Sequence, residues 1–129
     1  MADLIPGDGT MLALTTIGSA EAAQKLADAL VHERLVACCN LLEVRSTFVW
    51  KDALCNEPEI MMVMKTRREL LETLMIRVRQ LHPYDCPELI TVPVESGYAA
   101  YLHWVRESTA TPDTTPDSTP DTPGNGGQA

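Results

Sequence analysis

The sequence predicts an α+β sandwich, a four-stranded antiparallel sheet with two helices on one of its faces. Three observations predict it. The apolar period changes along the chain in the order strand, helix, strand, strand, helix, strand. The two central strand patterns are separated by a short polar stretch, as in a hairpin. Both helix patterns are amphipathic, so each has one face to bury. At 129 residues and 45% hydrophobic content, the chain can build one domain around one core.

Residues 1–9 read as a loose leader. Met11, Leu12, Ala13, Leu14, Thr15, Thr16 and Ile17 form a short apolar run that ends at Gly18, a strand covered on both faces. Ser19 stands where an N-cap belongs, Glu21 falls in the first turn, and Ala23, Leu26, Ala27, Leu30 and Val31 recur at helical spacing. From Cys38 the period becomes two: Leu42, Val44, Phe48 and Trp50 alternate with Glu43, Arg45 and Thr47. Lys51 to Pro58 reads as a turn, and Ile60, Met61, Met62, Val63 and Met64 as the returning strand.

Thr66 and Glu69 have the spacing of a capping box. Leu70, Leu71, Leu74, Met75, Val78 and Leu81 then mark one helix face, with Arg67, Arg68, Glu72, Arg77 and Arg79 on the other. Pro83 ends that helix by disfavouring helical geometry at His82. The loop that follows is stiffened by Pro83 and Pro87 and holds Tyr84, Asp85, Cys86 and Glu88. Residues 89–94 make a fourth strand, confined to a sheet edge or bulge by Pro93. Ser96 and Gly97 break it, and Tyr98, Tyr101, Leu102, Trp104 and Val105 belong to a short terminal helix. From Ser108 three Thr-Pro-Asp units and a glycine-rich end hold no apolar residue except alanine, so residues 108–129 are expected to be disordered.

Net charge is −8, but Asp3, Asp8, Asp113, Asp117 and Asp121 lie near the ends, which leaves a nearly neutral body. Such a body has no basic footprint for nucleic acid or anionic lipid. Cys38, Cys39, Cys55 and Cys86 show no Cys-x-x-Cys spacing, so a disulfide scaffold is not expected. No apolar run approaches the ~20 residues of a membrane helix, and the first ten residues do not read as a signal peptide. These features fit a reduced, cytoplasmic protein.

The element order is that of the ferredoxin-like split βαβ sandwich with an appended C-terminal helix. In that architecture the helices cover one sheet face and the chain has no further large element for the other. Phe48, Trp50 and the methionine-rich strand from Ile60 therefore predict subunit association.

Several motifs in order carry a resemblance: Glu33-Arg34-Leu35-Val36-Ala37-Cys38 with Asn40, Trp50, Lys65-Thr66, His82-Pro83-Tyr84, Pro87-Glu88 and Pro93-Val94. Over about residues 10–107 the chain resembles the CutA divalent-cation tolerance proteins. The resemblance implies a ferredoxin-like homotrimer, arranged much like the PII signalling proteins, with sheets around a threefold axis and long hairpins that extend strand pairing between subunits. It also implies a link to tolerance of copper and other divalent metals, and no accepted catalytic reaction. Asp85 departs from the usual glutamate and Asp52 from the usual hairpin glycine, while Cys39, Cys55 and Cys86 are particular to this chain.

Cys38 and His82 are candidate metal ligands, since thiolate and imidazole suit copper and zinc, and Cys86 stands four residues from His82. The alternative is a buried Cys38 packed as a small hydrophobe, with His82 capping the preceding helix or bracing the loop. Met61, Met62 and Met64 would favour Cu(I) as ligands, or fill core or interface. A cysteine nucleophile with a histidine base is a further alternative, but nothing in the spacing supplies an oxyanion site. Trp50, Lys65, Arg67, Tyr84 and Glu88 form a candidate cleft between subunits for an anionic small molecule, with Lys65 beside a helix N-terminus. The alternative there is a strand-end lysine in solvent. His32 and His103 read as solvated. No Gly-rich phosphate loop and no carboxylate-rich hard-metal cluster is apparent, so no organic cofactor is expected. The functional expectation is a trimeric, copper-responsive binding or signalling protein, with small-molecule binding as the alternative.

Overall fold

A computed structural model describes residues 3–111. Its elements are β1 (Leu4–Pro6), β2 (Thr10–Ile17), α1 (Ala20–His32), β3 (Cys38–Trp50), β4 (Ala53–Arg67), a 3-10 turn (Arg68–Leu70), α2 (Leu71–Leu81), β5 (Ile90–Pro93), β6 (Ser96–Tyr98) and α3 (Ala99–Ser108). The main sheet runs β3-β4-β2-β5 with every neighbour antiparallel, the expected ferredoxin-like order.

The helices cover one face because their apolar stripes and the sheet's inward residues match. Ser19 caps α1, its Oγ accepting from the Ala22 N–H at 3.1 Å. Ala23, Leu26 and Leu30 of α1 and Leu74 and Val78 of α2 pack on Ala13, Ile17, Met62 and Met64 of the two central strands. The methionines therefore divide. Met62 and Met64 are fully buried under the helices, whereas Met61 lies on the opposite face, half-buried. They do not form one thioether cluster.

Four expectations are corrected. Residues 4–6 are not a loose leader: β1 pairs with β6, Leu4 opposite Tyr98, and Gly7 is clamped where an added Cβ would lie 1.7 Å from the Val94 carbonyl oxygen. The hairpin turn is only Lys51-Asp52, both with positive φ (51° and 67°), as a tight two-residue connection requires. Strand β4 resumes at Ala53 and carries Pro58 opposite Arg45, beyond the last β2 partner at Ile60, where its missing N–H costs no second ladder. The Thr66-Glu69 capping box does not form, because the ladder to β2 continues through Arg67 and Thr66 Oγ1 donates instead to the Leu35 carbonyl at 2.7 Å. Long-range pairing outweighs the local cap.

The fourth correction concerns the tail boundary. Thr109 is 1% exposed, and its hydroxyl accepts from Arg67 Nε at 2.9 Å. The Arg67 guanidinium also donates to the Arg106 and Thr109 carbonyls, and Arg34 Nη2 donates to the Glu107 and Thr109 carbonyls. Two cations thus satisfy carbonyls at the end of α3, where the helix dipole favours positive charge. The folded part extends past Ser108, and residues 112–129 of the expected disordered tail lie outside the described residues.

Thr15, fully buried in β2, has a hydroxyl oxygen with no hydrogen-bond partner. Thr15→Val removes that unpaired polar atom at nearly constant shape and is expected to stabilise the fold by about 1 kcal/mol, a rise of about 4 °C in melting temperature. An unchanged or lower melting temperature contradicts this account of Thr15.

Candidate functional site

The second sheet face can be read row by row from the strand register. Val92, Leu12, Lys65 and Cys38 share one row; Ile90, Leu14, Val63 and Asn40 the next; then Thr16, Met61 and Leu42. Beyond β2 the hairpin alone continues this face, with Glu59, Glu57 and Cys55 on β4 and Phe48 and Trp50 on β3. Leu42, Phe48, Trp50, Ile90 and Val92 are all exposed.

Where the hairpin outruns the sheet, the loop between α2 and β5 folds over it and encloses a cleft of about 710 Å³. Its acidic lining comes from Glu57, Glu59, Asp85 and Glu88, and its aromatic lining from Phe48, Trp50 and Tyr84. Cys55 and Cys86 also line it, and no basic side chain does. Glu59 is 7% exposed, and its only partner among the described residues is the Tyr84 hydroxyl, which donates to Oε2 at 2.7 Å. A carboxylate buried this far without a countercharge is unusual.

His82 positions the loop. It is 6% exposed; Nε2 lies 2.8 Å from the Thr16 carbonyl oxygen and donates to it, while Nδ1 accepts from the Tyr84 N–H at 3.1 Å. Its backbone N–H donates to the Val78 carbonyl and so closes α2. Both ring nitrogens are committed, which is the bracing role. Cys38 lies in the row of Leu12, four residues along β2 from Thr16, or about 13 Å at ~3.3 Å per residue. The expected pairing of Cys38 with His82 is therefore not assembled within one chain. Cys38 faces Lys65, whose Nζ is 3.9 Å from its Sγ, and the Tyr101 hydroxyl. Cys39 points to the helix side, and burial, reinforced by Cys38, pushes its thiol up to about 11.

Of the expected cleft residues, Trp50, Tyr84 and Glu88 come together with the metal candidate Cys86. Lys65 and Arg67 do not join them. Lys65 donates to Asn40 and Cys38, and Arg67 is buried against the end of α3. Within a single chain, therefore, the cleft these residues line is acidic, and Lys65 and Arg67 contribute no positive charge to it. Glu57, Glu59 and Asp85 were not expected in it: residues 51–58 read as a turn, the returning strand was begun only at Ile60, and Asp85 was read only as a loop residue. The available signal was the period-two placement of Cys55, Glu57 and Glu59. Among the described residues no three His, Cys, Asp or Glu side chains converge closely enough to hold a metal ion by themselves, and no helix is long and apolar enough to cross a membrane.

A family profile described as "CutA1 divalent ion tolerance protein" matches residues 11–108. Protein CutA of Mus musculus is 38% identical over 106 residues, covering 81% of this chain, which spans 59% of that relative's length. The divalent-cation tolerance protein CutA of Pyrococcus horikoshii is 37% identical over 99 residues, 77% of this chain and 97% of that protein. Among solved structures, CutA from Synechococcus elongatus PCC7942 superposes with a TM-score of 0.82 at 33% identity, covering 84% of this chain and 97% of that one.

Burial first, then the Glu59 carboxylate, favours the neutral phenol of Tyr84 and pushes its pKa from 10.0 up to about 12. The folded chain therefore holds this proton more tightly than the unfolded chain. The associated stabilisation is complete below pH 10 and is lost as pH rises toward 12. The tyrosinate absorbance of the wild type minus that of Tyr84→Phe is expected to develop near pH 12; a midpoint near pH 10 contradicts the Tyr84–Glu59 contact.

Proposed function

This chain belongs to the CutA1 divalent ion tolerance family, and from that premise we propose that it is a homotrimeric, cation-responsive protein that meets its cation in the acidic cleft. The observation that carries the reading is Glu59, a nearly buried carboxylate on the cleft wall with no basic partner among the described residues. A divalent cation supplies the missing charge. Copper is the metal we assign first, and Cys86 is the one sequence-derived ligand candidate that lies in the cleft. Since one chain does not gather three ligands at a point, the remaining coordination comes from water or from a neighbouring copy.

The assembly part of the proposal rests on the exposed apolar sheet face, which two further copies would cover in a PII-like arrangement. A second reading, signalling through a small ligand, is favoured by the cleft's size and its three aromatic rings, which suit an organic cation better than an anion. The family description and the name of the Pyrococcus horikoshii relative describe divalent-ion tolerance. The Cys/His alternative finds no support at His82, whose ring nitrogens are engaged by Thr16 and Tyr84. The four cysteines form no disulfide, which supports a cytoplasmic setting.

Glu59→Gln is expected to weaken Cu2+ binding at least tenfold in calorimetric titration while Cys38→Ser leaves it unchanged. Equal affinity in Glu59→Gln and wild type overturns the cleft assignment, and a loss confined to Cys38→Ser moves the site to the other end of the sheet.

A further inference from the structure

We propose that Cys55 and Cys86 form a two-thiol site for a soft divalent cation on the wall of this cleft. The proposal goes beyond the assignment of the cleft to a cation, on which its location rests, because it adds Cys55 as a second thiolate beside Cys86 and does not use the Glu59 carboxylate.

The placement follows from strand period and one contact. Cys55 stands opposite Phe48 in β4 and, two and four residues before Glu57 and Glu59, faces the cleft with them. Cys86 is exposed on the facing loop. The Tyr84–Glu59 hydrogen bond of 2.7 Å pins that loop to β4 two residues before Cys86 and four residues after Cys55. Pro87 restricts the backbone freedom of Cys86 within the bend formed by residues 84–86. Strand and loop therefore leave one fixed point and carry a thiol each to the same cavity.

The other two cysteines are differently occupied. Cys38 is contacted by Lys65 and Tyr101, and Cys39 is turned to the core side. Cys55 has only a 3.6 Å contact from its Sγ to the Ala53 carbonyl, which a metal bond displaces at little cost.

Thiolates select soft cations, and the Glu57 and Glu88 carboxylates on the same wall raise the local cation concentration. Binding is an exchange without electron transfer: two thiols and one Cd2+ give a cadmium bis-thiolate and two protons. The bridge ties the hairpin to the loop, so soft-metal binding also rigidifies the cleft.

The test is a Cd2+ titration of the reduced 129-residue chain, read by ultraviolet sulfur-to-cadmium charge transfer and by proton release in weak buffer. The expected result is one Cd2+ and two protons per chain, with at least a tenfold loss of affinity in Cys55→Ser and in Cys86→Ser, and none in Cys38→Ser. If Cys55→Ser proves poorly folded, Cys55→Ala replaces it. One proton per Cd2+, a charge-transfer band that survives either cleft substitution, or its loss in Cys38→Ser overturns the site. Glu59→Gln measured with Cu2+ reports on the cleft separately, since it removes no thiol.

Discussion

The helices α1 and α2 cover only one face of the sheet, and most of the molecule's arrangement depends on that constraint. Burial of Ala13, Ile17, Met62 and Met64 under α1 and α2 forms the core. The same strands carry a second set of apolar residues at period two, which the single chain leaves open. β3 and β4 extend past β2, and the loop after α2 closes over the extension. The cleft exists because the hairpin is longer than the sheet it grows from. It lies on the face that α1 and α2 leave open, and no residue of α3 lines it.

Two polar networks hold this frame in register. His82 joins the end of α2 to β2 and to the loop backbone, so a residue with ligand chemistry serves as a brace. At the opposite end Arg67 and Arg34 bond the carbonyls that end α3 and draw Thr109 into the fold. In both cases the reactive or charged group is consumed by backbone partners. The free polar chemistry is left to the cleft, where Glu59 has a phenol for company and no cation.

Much of the fold was legible in the sequence because local and global preferences agree. Ser19 caps the helix it was expected to cap, Leu74 and Val78 face the core, and the long alternation from Cys38 to Trp50 is a strand. The misreadings fall where tertiary pairing overrides a local signal. Thr66 prefers a ladder and the Leu35 carbonyl to a capping box, and Leu4–Pro6 is a strand only because β6 lies beside it. The site was half legible. Trp50, Tyr84, Cys86 and Glu88 were read from their residue types, whereas Glu57 and Glu59 were hidden by a proline that usually ends strands and is tolerated here on a one-sided ladder. Lys65 and Arg67 share the cleft's sheet face but stand six and eight residues along β4 from Glu59, at the other end of the sheet, a separation that adjacency in sequence to a helix start does not report.

The central claim is that the open apolar face is an assembly surface and that the cleft at its edge works within that assembly. Sedimentation equilibrium of the 129-residue chain at micromolar concentration addresses it most directly. The account predicts a single species of three times the 14.2 kDa chain mass, dissociated by Leu42→Asp on the open face. A monodisperse monomer with Leu42 intact would contradict it.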